Sequence, residues 1–310
     1  MFRLSWTTSS CLIVLMRDLL LISGYGDNGG GLYAYDGVRL FVIDFLMTTG
    51  LFYSDETLFR VAPIKGENGA WCRVLTYRGS QPVSDRRFRS IEEPHDILMA
   101  GNKLLVVSAG ANAIFEIQED GQSTVHWAAP GEENSWHLNC LAFVDGNLWA
   151  SAFGRFEKYR EWERHKNDGS GVLIDVKTGD IIVGGLNCPH SPRVVGDRLL
   201  ICDSASRRLL VLDLVEKSTL TSAQFSGWTR GLAVAEDAIY VGESAARELR
   251  EDLQHAAINV LHPVTLEKLA RIPLPFREVY DLLLVPRTSS ICRRMIGNRR
   301  TLLAIDSSNA

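Results

Sequence analysis

The sequence has six cysteines and no CxxC pair among them: Cys11, Cys72, Cys140, Cys188, Cys202 and Cys292 are widely scattered. That removes the local signatures of a zinc knuckle or a dithiol redox site, and the thiols read as small core residues. No short metal motif of the HExxH kind is present either. No apolar run approaches the roughly 18 uninterrupted residues that a membrane-spanning helix needs. The segment Cys11 to Met16 resembles the start of a signal peptide, but Arg17 and Asp18 interrupt it and no small-residue cleavage site follows. A cytoplasmic protein without a membrane partner is expected. There is no surplus of positive charge, the formal net charge being −4, so nucleic acid is not an expected partner. What is present is an ordinary globular composition, 46% hydrophobic and 23% charged, enough for a substantial core. At 310 residues the chain is long enough for two average domains or for one closed all-β architecture.

An internal repeat decides between these. GLAVAEDAIYVGES from Gly231, CLAFVDGNLWASAF from Cys140, DILMAGNKLLVVSA from Asp96 and SPRVVGDRLLICDS from Ser191 share one pattern. Each has an apolar run, a short turn of Asp, Gly or Asn, and a second apolar run ending in small or polar residues, which is a β-hairpin. Aligned without gaps, they place His95, Asn139, His190 and Arg230 at one position before the first strand, at spacings of 44, 51 and 40 residues. TTGLFYSDETLFRV adds Thr49 upstream and VYDLLLVP adds Tyr280 downstream, making six copies. Further strand-like pieces (AIFEIQ, GVLIDV, LLVLDL, INVLHP) lie between them. Each unit thus supplies about four strands, as a propeller blade does.

The sixth copy has one strand before Pro286, whereas LLLISG, GLYAYDG and RLFVID precede the first hairpin. The surplus matches the shortage. The expectation is therefore an all-β, six-bladed β-propeller of four-stranded blades over residues 1–286, closed by N-terminal strands that complete the last blade and remove exposed edges. A pair of β-sandwiches would also give many short strands, but not one hairpin recurring at this period. Residues 287–310 form a C-terminal tail without an assigned role. Two segments break the pattern: 153–168 (FGRFEKYREWERHKND), charged and aromatic, reads as an inserted loop or short helix, and 245–257 (AARELREDLQHAA, helical in character) interrupts the fifth blade. Face insertions of this kind shape binding mouths or dock protein partners, Trp162 being the candidate anchor or lid.

The phrases EPHDI (Glu93–Ile97), WHLNCLA (Trp136–Ala142), NCPHSPR (Asn187–Arg193) and GWTRGLA (Gly227–Ala233) resemble a bacterial family of hypothetical proteins, described as a domain of unknown function and regarded as β-propellers. The resemblance runs from about Leu19 to Pro286. It implies the fold and no reaction. More distantly, the chain is similar to the six-bladed gluconolactonase and strictosidine-synthase-like group, in which a metal sits in the channel. That group's ligand carboxylates have no residue-by-residue match here, so its chemistry does not transfer.

In a propeller the first strand of each blade lines the central channel, so the aligned residues converge there whatever their sequence separation. The expected ring is Thr49, His95, Asn139, His190, Arg230 and Tyr280, with His137, Asp96, Arg193, Glu278 and Asp281 beside it. Such residues can cap strands and hold blades together, or they can form a ligand site, since converging titratable groups are costly to desolvate. Three uses of the ring are open. The first is a divalent metal (zinc, iron, copper or nickel) held by His95, His137 and His190, with Asp96 or Glu278. The second is metal-free binding of a small polar or anionic molecule by Arg230 and Arg193, with His95 or His190 as general base in any reaction. The third is a protein-interaction scaffold whose polar ring is structural. Cys140 and Cys188 lie near the ring and are equally well explained as core thiols.

Overall fold

Each hairpin folds where its turn chemistry allows. Asp145 and Gly146 both sit at positive φ, 50° and 82°, the left-handed pair that a two-residue turn between Val144 and Asn147 demands and that an Asp-Gly dipeptide adopts cheaply. In the computed structural model, which describes residues 17–25, 30–66, 69–79, 81–245, 255–292 and 301–304, these hairpins grow into six antiparallel sheets. Five have four strands in sequence order and begin with Leu51–Ser54, Pro94–Ala100, Leu138–Val144, Pro189–Val195 and Trp228–Val234. The first strands of successive sheets touch in cyclic order, sixth to first included, so the sheets form a closed ring.

The sixth sheet is made from both ends of the chain. Its inner strand Glu278–Pro286 pairs with Asp18–Tyr25, followed by Gly31–Tyr35 and Arg39–Asp44. The expected closure by N-terminal strands is what the fold uses. Within the 287–310 tail, Thr301–Ala304 pairs antiparallel with Arg39–Asp44 as a fifth, outermost strand, and Ile291 and Cys292 are buried against Leu19, Leu21 and Leu58. Part of the tail is thus built into the fold. Residues 1–16 and 246–254 lie outside the described residues, and with them the Cys11–Met16 segment and most of the helical reading of 245–257.

The core lies between blades. Leu105, Val107 and Ile114 of the second blade pack on Leu138, Ala150 and Ile174 of the third, and Leu20, Ile22 and Tyr33 of the sixth pack on Tyr240 and Ile258 of the fifth. Polar clasps join the inner strands. Asp96 accepts the Leu141 amide at 2.8 Å, Ser191 accepts the Gly231 amide at 3.0 Å, and Asp281 accepts the Leu51 amide at 3.1 Å. Asp96, Ser191 and Asp281 all directly follow an aligned ring residue, so one device recurs at three interfaces.

Candidate functional site: the channel mouth

Two backbone irregularities present the ring. The pairing between first and second strands shifts at Pro94/Asp96, Leu138/Cys140, His190/Arg193 and Thr229/Leu232, and the sixth blade shifts opposite Val279 and Asp281. The residues left out of register are His95, Asn139, Ser191 with Pro192, Arg230 with Gly231, and Tyr280. A bulge re-aims a side chain out of the ladder, and here it falls at or beside the aligned position in five blades. Two residues earlier, Glu93, His137 and Cys188 all have left-handed backbones, with φ of 44°, 50° and 52°. This conformation is strained for non-glycine residues, and it brings His137 into the site although it is out of register with His95 and His190.

Together they frame a cavity of about 360 Å³ at the channel mouth. Of the ring, Thr49, His95, His190, Arg230 and Tyr280 line it, as do His137 and Glu278. The rest of the lining includes Tyr25, Trp228 and Glu93, with Phe153, Arg160, Trp162 and Lys166 from the 153–168 insertion. That insertion folds inward around a short 3-10 turn, Glu161–Arg164. Trp162 is buried rather than exposed, its ring 4.3 Å from His137 and 5.0 Å from Phe153. The expectation of an exposed anchor on this loop is corrected, because the indole has an aromatic wall to cover.

Two hydrogen-bond networks fix the rings. Asn134 accepts from Trp162 Nε1 at 3.2 Å, lies 2.7 Å from His137 Nδ1 through the same Oδ1, and donates to Glu93 Oε2 at 2.8 Å. Across the cavity the Arg230 guanidinium lies over the Tyr280 ring, 3.2 Å from its centroid, and donates to His95 Nδ1 at 3.2 Å. His95 meets His137 edge-on at 5.0 Å. Arg230 forms no salt bridge among the described residues, and its Nε is buried without a hydrogen-bond partner. The other cations are held: Arg160 by Glu163 at 2.6 Å, and Lys166 near the Trp162 ring.

The remaining candidates lie off the cavity lining. Asn139 is fully buried, donating to the His137 carbonyl and accepting from Ser151. Asp96 and Asp281 are the blade clasps already described, and Arg193 donates to Asp281 at 3.1 Å. Burial pushes the Asp281 carboxyl up to about 7 and Asp96 carries its charge nearby, with Arg193 pulling the other way. Burial likewise raises Asp96, opposed by Arg193 and by the Leu141 and Ile97 amides. The Arg193 charge is therefore committed to this pair. Burial also pushes the Cys140 and Cys188 thiols up to about 12, which keeps them protonated and unsuited to nucleophilic attack at neutral pH.

His190 Nδ1 lies 2.7 Å from Ser204 Oγ and 3.0 Å from the Cys188 carbonyl, and Phe153 packs on both His137 and His190, at 4.4 and 5.2 Å. Among the described residues no group of three or more His, Cys, Asp or Glu side chains is arranged to hold a metal ion.

The family described as "Domain of unknown function (DUF4915)" matches residues 90–290. No curated protein matches the chain. Among solved structures, a protein of unknown function from Bacteroides caccae is similar with a TM-score of 0.58 at 10% identity, over 87% of this chain and 99% of that one. A protein provisionally described as a 6-phosphogluconolactonase from Bacteroides fragilis NCTC 9343 gives 0.56 at 12% identity, over 86% and 98%. A chain of the nidogen/laminin complex gives 0.56 at 10% identity, over 86% and 97%. At these identities the likeness is one of fold alone.

Proposed function

Because the chain belongs to the DUF4915 family, whose description assigns no reaction, its role has to be read from the channel mouth, and we propose that this cavity binds a small anionic molecule through Arg230. The observation that carries the reading is the state of that guanidinium. It lines the cavity, is stacked on Tyr280, donates to a histidine rather than to a carboxylate, and holds a buried Nε with no partner. A partly desolvated cation with no carboxylate in direct contact, only the charge of Asp96 nearby, is costly, and a ligand carboxylate or phosphate relieves that cost through a bidentate fork. The cavity volume lies in the range of small-molecule sites, and the mix of aromatic walls with few polar groups fits one.

A thermal-shift screen of carboxylates, phosphates and sugar acids, paired with elemental analysis of the purified protein, tests this. An anion at about 100 times its Kd adds about 2.7 kcal/mol of stability, which a melting curve resolves. Stabilisation by anions without stoichiometric metal supports the reading. A silent screen overturns it. Stoichiometric metal lost in a His95→Ala, His190→Ala variant replaces it with a metal centre, and a co-purifying protein beside a silent screen replaces it with a scaffold.

A further inference from the structure

Lys166 repeats the condition of Arg230 on the wall supplied by the 153–168 insertion. It is half-buried and lines the cavity. Its Nζ lies 5.7 Å from the centroid of the Trp162 ring, a cation over an aromatic face as Arg230 is over Tyr280. Among the described residues neither Lys166 nor Arg230 forms an ion pair. The acids around Lys166 are engaged elsewhere. Asp168 and Asp203 act, as Lys166 does, on the charge state of the Cys188 thiol, but Asp168 is bonded to His165 and Asp203 to Arg208, at 2.8 Å. On the lining itself Glu93 is bonded to Asn134 and lies 4.0 Å from Arg160, and Glu278 is paired with neither Lys166 nor Arg230.

The two cations are seated independently. Arg230 rides on the inner strand Trp228–Val234 of the fifth blade. Lys166 belongs to a segment pinned at several points: the Tyr159 amide donates to Glu132 at 2.8 Å, the Ser170 hydroxyl to the His165 carbonyl at 3.0 Å, and the Cys188 thiol to the Lys166 carbonyl at 3.7 Å. We infer that the ligand of this cavity carries two anionic groups, one on Arg230 and the other on Lys166. This rests on the reading of Arg230 as the anion partner and adds a second charge to the molecule it receives. An ammonium has three donors and no acceptor, and a ligand carboxylate or phosphonate meets it with a charge-assisted bond. Phe153 and Trp162, which also line the cavity, offer an apolar wall to the carbon chain that joins the two groups.

Calorimetry of the unmodified protein tests the inference with the dicarboxylates from malonate to pimelate and with phosphonoacetate, each against its monomethyl carboxyl ester. The series varies the distance between the charges, and the ester removes one of them. The best diacid is expected to bind at least about tenfold more tightly than its ester, the lower range for a charge-assisted hydrogen bond. That preference should vanish in Lys166→Met, with the ester still bound as by the parent, and should persist in Lys166→Arg, which keeps the charge. Equal affinities for every diacid and its ester overturn the second charge while leaving Arg230 as an anion partner. A preference that survives in Lys166→Met overturns it too, since the second anion then sits elsewhere. Binding of none of these probes also overturns it, and the phosphates and sugar acids of the screen then judge Arg230 separately. The comparison of diacid with ester in the parent decides the matter even where a melt shows Lys166→Met to be unfolded.

Discussion

Arg60 is fully buried, and all three nitrogens of its guanidinium donate hydrogen bonds. It reaches Asp44 with bonds of 2.5 and 2.7 Å, Thr48 Oγ1 at 2.5 Å, and the Leu46 carbonyl. Asp44 ends the last N-terminal strand of the sixth blade, whereas Arg60 belongs to the first, so this one side chain ties the closing blade to its neighbour. Removing one partner of a buried pair typically costs about 3–5 kcal/mol. Asp44 is partly exposed, which lowers the expectation for Arg60→Ala to roughly 2–4 kcal/mol, read as a drop in the urea midpoint. A change below about 0.5 kcal/mol, as at an ordinary surface site, contradicts this role. Arg60 and Arg230 are both shielded guanidiniums, but Arg60 is bonded to a carboxylate and Arg230 to a histidine.

At the level of strands and turns, the mouth residues depend on supports outside the cavity. Glu243, at the end of the second strand of the fifth blade, accepts from the Ser226 amide at 2.9 Å, the Gly227 amide at 2.8 Å and Asn259 at 2.8 Å. Burial works to raise its carboxyl, but these bonds and the nearby Arg271 hold it below the usual carboxylate range. The turn it fixes leads directly into Trp228–Val234, which carries Arg230. Glu243→Gln keeps the shape and replaces charge-assisted bonds by neutral ones. It should cost about 1–3 kcal/mol and weaken anion binding by misplacing Arg230, seen together in a melt and a ligand titration. Unchanged affinity in a folded variant contradicts the positioning role. Asp203 accepts the Asn187 amide at the same place in the fourth blade.

The elements also mark how far the sequence could be read. Ungapped hairpins carry the register of the ring, so His95, His190, Arg230 and Tyr280 were legible as neighbours before any coordinates. The bulges were not, since an out-of-ladder residue is defined by a partner strand that single-strand periodicity does not contain. Nor was the inward fold of 153–168, which has no repeat; only its aromatic content hinted at a wall. Asp96, Arg193 and Asp281 were placed near the mouth by adjacency in sequence, but they lie off its lining and meet one another from the second, fourth and sixth blades, where Asp96 and Asp281 also accept an amide of the next blade.

For the whole molecule, closure has a pH signature. Asp281 joins the last inner strand to the first blade through the Leu51 amide, and burial holds its carboxyl up at about 7, whereas an unfolded chain releases that proton near pH 3.9. Between those values the folded state binds the extra proton, so the stability this group contributes is full below about pH 4 and is lost as pH rises through about 7. Asp281→Asn cannot titrate. The stability difference between the parent and this variant should therefore shift against the parent across that window in denaturation curves, and level off above it. A difference independent of pH contradicts the assignment.

On the proposed reading the ring matters because it brings Arg230, His95 and His137 to one cavity from three blades, where the guanidinium would receive an anion. Isothermal titration of the most strongly stabilising anion into the parent protein and into Arg230→Ala tests that most directly. The account predicts a loss of affinity of at least about tenfold, the lower range for a charge-assisted hydrogen bond, with the variant still folded. Affinity unchanged on removal of the guanidinium would contradict it.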